Sequence, residues 1–145
     1  MPDVGAGFSG PFSGTLTGTV TDFAGTCIAK LSTTSAINAK TVGTTNLYTV
    51  PATKMATITG CIVRCTAADT ITVVPTLGVG VAAGEADIIA PTALTGLTAT
   101  GLFYRFSVEG VAVTVAAAGV IKLGIDTGAT ATTMTIAVDL FGYLV

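Results

Sequence analysis

The chain has 145 residues, six of them basic and eight acidic, for a net charge of −2, and it contains no histidine. Half of its residues are apolar and only 10% are charged, where an ordinary soluble domain is about a quarter charged. Without imidazole, Ser-His-Asp and Cys-His catalysis and the usual zinc sites are excluded, and six scattered basic residues leave no nucleic-acid footprint.

The length is that of one domain with its own core. So few charges on so apolar a surface call for neighbours that cover it. Threonine, valine, alanine and glycine dominate, and β-branched residues with abundant glycine favour short strands and turns over long helices. The expected class is all-β.

Residues 1–45 are rich in Gly, Ser and Thr and carry an internal echo, Phe8-Ser-Gly followed by Phe12-Ser-Gly. Their larger apolar residues, Phe8, Phe12, Leu16, Val20 and Phe23, are widely spaced among small polar ones. A strand over Thr15–Thr21 fits the alternation. The segment reads either as a flexible leader or as an extended N-terminal arm, with one or two strands, that orders against neighbouring subunits through its phenylalanines.

From Asn46 the strand signals are clearer, and residues 46–145 are expected to form the β-sandwich domain. Leu47–Val50 is a strand that stops at Pro51, which cannot donate to a ladder. A long strand follows over Met55–Cys65, then a turn at Ala67–Asp69 and a short strand over Ile71–Val74 ending at Pro75. Leu77-Gly-Val-Gly-Val81 is a glycine-laced strand with the look of a bulge. Gly84–Asp87 is a polar loop, and Ile88–Thr100 reads as a short strand followed by a loop or a single helical turn.

Leu102, Tyr104, Phe106 and Val108 alternate with Phe103, Arg105 and Ser107, the period-two pattern of a half-buried strand. Val111, Val113 and Val115 repeat it. Val120–Ile125 and Thr132–Tyr143 flank Asp126-Thr-Gly-Ala129, which predicts a hairpin. In the last strand Met134, Ile136, Val138 and Leu140 share one face, with Thr133, Thr135, Ala137 and Asp139 on the other. Beyond Leu140 both faces are apolar, so the end of the chain is expected to be buried against something. About eight short strands at roughly ten-residue spacing predict a single-domain β-sandwich or barrel, the jelly-roll class included.

No window of about 18–20 consecutive apolar residues is present; Pro91, Gly96 and Gly101 interrupt the uncharged stretch Ile88–Tyr104. The start, Met1-Pro-Asp-Val-Gly5, has neither a basic segment nor a compact apolar one, so synthesis and assembly in a cytoplasm are expected. No membrane association is expected.

Cys27, Cys61 and Cys65 are an odd set. Cys61 and Cys65 share a strand face, their Cα atoms roughly 13 Å apart, too far for a disulfide. Buried free thiols acting as small hydrophobes are the expectation.

The remaining chemistry is sparse. A Ser-Lys or Thr nucleophile would need a base that nothing signals, and eight scattered acids show no glycosidase pair. Glu85 and Asp87 in one loop fit a solvated turn better than a calcium site, which recruits more carboxylates. Leu77-Gly-Val-Gly lacks the downstream Gly-Lys-Ser/Thr of a phosphate loop. The chain reads as no enzyme, with no cofactor, metal or small-molecule substrate. Arg64, Arg105, Lys122, Glu109 and Asp139 are isolated charges in otherwise uncharged strands, serving either as outward, edge-protecting groups or as inter-subunit ion pairs.

The run Leu47-Tyr-Thr-Val-Pro-Ala-Thr-Lys54, followed by a long strand with Arg64, resembles the LYxVPAxK opening of β-rich structural proteins of tailed bacteriophages, with Thr53 where the pattern usually has glycine. Asp87–Gly101 and Thr132–Val145 are similar in style, so the resemblance covers roughly residues 46–145. It implies a non-enzymatic virion protein, most like a capsid decoration (cement) protein, that is a homo-oligomer, with a trimer favoured. Its partners would be copies of itself and the major capsid protein. Interfaces are then expected at Phe8, Phe12, Phe23, Arg64, Phe103, Arg105, Phe141 and Tyr143. The alternatives are a head or tail fibre or appendage that contacts the host, and a small jelly-roll capsid subunit.

Overall fold

In the computed structural model, the described residues are 28–81, 85–108 and 113–145. They form nine strands and no helix: β1 (Ala29–Asn38), β2 (Gly43–Thr49), β3 (Ala56–Asp69), β4 (Thr76–Gly80), β5 (Ile89–Ala93), β6 (Phe103–Ser107), β7 (Val113–Val115), β8 (Val120–Thr127) and β9 (Thr133–Leu144). The larger sheet runs β1-β9-β3-β6, with β7 also paired to β3; the smaller runs β2-β8-β4-β5. All pairings are antiparallel. The all-β sandwich expected from the composition is the fold.

The core lies between the sheets. The larger sheet contributes Ile58, Val63, Met134, Ile136, Val138 and Leu140, and the smaller contributes Leu77, Val79, Ile121 and Leu123, all fully buried. The alternation read in the last strand holds: Met134, Ile136, Val138 and Leu140 face inward. Leu94 and Leu97, in the loop after β5, are also fully enclosed. Tyr104 and Phe106 alternate inward from β6, their ring centroids 4.8 Å apart.

The hairpin expected across Asp126–Ala129 does not form. β8 and β9 belong to different sheets, and the connection crosses between them. Ala129 donates to the Ala39 carbonyl at 2.8 Å, and Thr130 bridges to Val73. Turn chemistry is local. The partner of a twelve-residue strand is set by where it makes most bonds, and for β9 that is β3, in a register running from Ala56↔Leu144 to Asp69↔Thr133. This pairing also draws Ala67–Asp69, expected as a turn, into β3. Ile71–Val74 forms no strand of its own, and only Val73 makes a bridge.

Residues 29–45, read from sequence as part of the arm, supply β1 and the start of β2 to the two sheets. The expected strand at Thr15–Thr21 lies outside the described residues, as do Phe8, Phe12, Phe23 and Cys27.

The glycines of β4 have a steric role. Gly78 faces Gly124 across the β4–β8 pair, and the chain around Glu85 packs onto both. A Cβ on Gly78 would lie 2.7 Å from the Glu85 carbonyl oxygen, and one on Gly124 would lie 2.9 Å from the Glu85 Cβ. The strand is bulged as expected, its register shifting on both sides of Leu77. Pro91 falls in β5, an edge strand, where a missing amide is tolerated. Glu85 is buried with φ of +42°, so it is no solvated turn residue, whereas the Asp87 carboxylate accepts the Val81 amide at 2.8 Å.

Leu123→Ala should lower the unfolding free energy by about 3 kcal/mol in urea denaturation, since it empties a fully buried site. Lys122→Ala, next to it and pointing outward, should cost less than about 1 kcal/mol. Equal effects would contradict this division of inner and outer faces.

Candidate functional site

The outer face of the smaller sheet is partly covered by the chain around Glu85. The outer face of the larger sheet carries the chemistry that the sequence singled out. Strand alternation brings Arg64 of β3, Phe103 and Arg105 of β6, and Phe141 and Tyr143 of β9 onto this one face. Cross-strand register makes the placement concrete. Thr33, Asp139, Ile62 and Arg105 form one row across four strands; Ala137, Arg64 and Phe103 form the next; and Lys30, Phe141 and Gly60 form the row on the other side.

Asp139 is the polar centre of this face. It is only 8% exposed and stands diagonally across from Arg64, within reach for a long side chain. The Arg64 guanidinium donates to its carboxylate through Nε at 2.9 Å and through Nη2 at 3.4 Å. The Thr33 hydroxyl donates to Oδ1 at 2.6 Å, and Lys30 Nζ lies 3.9 Å away. A carboxylate embedded in an apolar strand is costly unless hydrogen-bonded, and here strands on both sides of β9 supply the donors.

Burial pushes the Asp139 carboxyl up, but the Thr33 hydroxyl, the Arg64 guanidinium and the Lys30 charge together outweigh it. The net effect holds the carboxyl below its usual value. Asp139 and Arg64 therefore pair within the chain, whereas the sequence left open outward charges or inter-subunit ion pairs. Seventy-five residues separate them, so only the β3–β9 register reveals the pair.

Around this polar centre the face is apolar. Phe103 is 66% and Ile28 is 63% exposed; Phe141, Tyr143 and Ile62 are half-buried. A depression of about 310 Å³ opens between Ile28, Gly60, Ile62, Arg105, Phe106 and Phe141. Gly60, opposite Phe141 in the β3–β9 pair, forms part of its lining. Ile28, Thr33 and Lys30 are contributors that sequence reasoning missed; their signal lies in the pairing of β1 with β9, and Ser/Thr-rich β1 conceals it.

Beneath the face, Cys61 and Cys65 are free and buried. Burial pushes the Cys61 thiol up to about 12 and raises Cys65 as well, so both stay protonated at neutral pH and act as packing groups. Among the described residues no three His, Cys, Asp or Glu side chains gather as metal ligands, and no helix is long and apolar enough to cross a membrane. The face thus combines aromatic and aliphatic side chains with one acid that is paired internally to Arg64 and Lys30, and with Arg105 beside them.

The fold is an all-β sandwich whose larger sheet carries exposed Phe103 and half-buried Phe141 and Tyr143 on its outer face. No family model matches the chain, and no curated protein matches it. Among solved structures, a chain of the cyanophage Pam1 capsid asymmetric unit is similar, with a TM-score of 0.50 and 17% identity over 99% of this chain and 96% of that one. At that identity the likeness is one of fold. It is end to end, so the two chains are of similar length.

Asp139→Asn should lower the melting temperature at pH 7, by the equivalent of about 1 kcal/mol because the guanidinium is half-exposed and screened. A carboxyl held below its unfolded value stabilises the fold above the usual carboxylate range, and that contribution is lost as pH falls through the folded value. The gap between wild type and variant should therefore close on acidification below about pH 4. A gap independent of pH would mean that the carboxylate charge contributes nothing.

Proposed function

We propose that this chain is a non-enzymatic virion structural protein that binds the outside of a phage capsid and stabilises contacts between capsomers, a decoration or cement protein. The observation that carries this reading is the end-to-end fold likeness to a similarly short chain of a phage capsid asymmetric unit. The nested strand order supports it. β1 with β9, β2 with β8, β3 with β6 and β7, and β4 with β5 is the order that a jelly roll produces, an architecture common in viral capsid domains.

The mechanism is mechanical. A low-charge chain with large apolar exposure suits obligate, symmetric interfaces, and the protein works as a homo-oligomer, a trimer being favoured, seated on the major capsid protein. Phe103, Arg105, Phe141 and Tyr143 on the outer face, with Arg64 holding its polar centre, make the contacts. In this reading Phe8, Phe12 and Phe23 of the N-terminal segment also make contacts to adjacent subunits. Each contact is weak, and repetition over the shell resists the pressure of the packaged genome. The protein takes no nucleic acid, membrane, cofactor or small-molecule partner, and it assembles in the host cytoplasm onto the capsid surface.

Purified chain added to heads that lack it should bind saturably and raise the temperature at which the heads release DNA. Phe103→Ser with Phe141→Ser should weaken that binding at least tenfold, on the order of 1.4 kcal/mol or more, without loss of fold by circular dichroism. Binding only to tails would favour the appendage reading. Assembly of shells by this chain alone would favour a small capsid subunit.

A further inference from the structure

We propose that the free edge of β6 receives an extended, acidic segment of the shell protein as an added strand, with a carboxylate of that segment pairing with Arg105. The partner's identity rests on the decoration reading; the site stands on the edge itself. Cys65 donates to the Leu102 carbonyl and Val108 donates to the Thr59 carbonyl, at the two ends of the β3–β6 pair. Hydrogen-bonded and unbonded pairs alternate along an antiparallel ladder, so Tyr104 and Phe106 also turn their amides and carbonyls toward β3, opposite Val63 and Cys61. The N–H and C=O groups of Phe103, Arg105 and Ser107 therefore point away from the sheet. Among the described residues no backbone group takes them.

The other sheet edges are blunted among the described residues. β5 carries Pro91, which has no amide to donate, and its Thr92 hydroxyl donates to the Ala90 carbonyl at 2.9 Å. β1 is broken by a bulge between Thr34 and Ile37, with Ala36 at φ of +58°. It lies against β2, whose Leu47 carbonyl accepts the Thr34 hydroxyl at 3.5 Å. β7 has only three residues. β6 has no proline, no bulge and no positive φ, and an edge of that kind is a template for another strand.

The side chains beside this edge select the strand. Phe103 is 66% exposed, and Arg105, two residues along on the same face, makes no ion pair among the described residues. Asp139, the acid in the same row as Arg105, is already bonded to Thr33 and Arg64. With Lys30 and Arg64 nearby, the described outer face is cationic, and an acidic strand complements it. A second copy is the poorer occupant, because its β6 carries no acid for Arg105 and brings a further arginine to the seam. Strand addition of this kind draws affinity from main-chain bonds and specificity from the side chains beside them.

Two measurements on the full chain test the site. The first adds a capped heptapeptide of alternating valine and glutamate, or its valine–lysine counterpart, and reads hydrogen exchange residue by residue. Saturating glutamate peptide should slow exchange at Phe103, Arg105 and Ser107 by about tenfold and leave Tyr104 and Phe106 unchanged, and the lysine peptide should bind more weakly. No change at Phe103, Arg105 and Ser107 overturns the site. Slow exchange there in the chain alone also overturns it: independent of concentration, it would mean that the chain's own segment holds the edge, and rising with concentration, that a second copy does.

The second measurement compares wild type with Ser107→Pro for binding to heads that lack the protein. Proline at this position removes an outward amide, leaves Phe103 and Arg105 in place, and is tolerated on an edge strand. It should weaken binding about tenfold, the equivalent of one lost ladder bond, with melting unchanged. Arg105→Glu, which leaves the backbone alone, should weaken binding as well, whereas Arg105→Lys should retain it. Equal binding by wild type, Ser107→Pro and Arg105→Glu would overturn the shell segment as the added strand and leave the decoration reading intact. If wild type fails to bind heads while the glutamate peptide protects the edge, the decoration reading falls and the acidic-strand site stands.

Discussion

The pairing of β3 with β9 is the constraint on which the rest of this molecule depends. These are the two longest strands, and they lie side by side in the middle of the larger sheet, in register from Ala56↔Leu144 to Asp69↔Thr133. The pairing shifts at Ile58/Gly60 and again at Cys65/Ala67, and because side chains alternate in a strand, the register between those shifts sets both faces at once. It turns Val63, Ile136, Val138 and Leu140 into the core, and it brings Asp139 diagonally opposite Arg64 on the outside. A slip of one residue would bury the carboxylate and expose the aliphatic row. Two local devices hold the register. The Ile58–Gly60 bulge shifts the pairing, and Gly142, lacking a Cβ, lets the Thr57 carbonyl approach where any larger residue would collide.

The outer face follows from the same register. Its polar centre is satisfied within the chain, since Thr33, Lys30 and Arg64 converge on Asp139 from strands on both sides. What remains for outside contact is apolar and cationic: Phe103, Phe141, Tyr143, Ile62 and Arg105. Because Asp139 is paired internally, covering this face would not leave that carboxylate as an uncompensated buried charge, which would be costly. The smaller sheet differs, because its paired glycines let the chain near Glu85 lie against them. The two outer faces of the sandwich therefore differ: one is partly covered by its own chain, and the other exposes Phe103.

Much of the fold was legible in the residues. Period-two alternation located β6 and β9 and assigned their faces, Pro51 marked a strand end, and the glycines of Leu77–Val81 announced a bulged strand. The failures share one cause. Asp126–Ala129 has the composition of a tight turn, but which sheet the next strand joins is decided by long-range pairing. Ala67–Asp69 has the composition of a turn, but its pairing with Thr135, Met134 and Thr133 makes it strand. β1 has a Ser/Thr-rich sequence with little apolar rhythm, so its contribution to the outer face was hidden, and with it the Thr33 and Lys30 contacts to Asp139. Aromatic and basic residues of the contact face could be named one by one. That five of them share a face required the register.

The central claim is that this protein is a repeated structural part of a phage shell. Quantitative gel densitometry of purified virions, with the major capsid protein as the internal standard, tests it most directly. A fixed ratio near one copy per shell subunit is the expected result. A handful of copies per particle, fractionating with tails, or complete absence from the particle would contradict it.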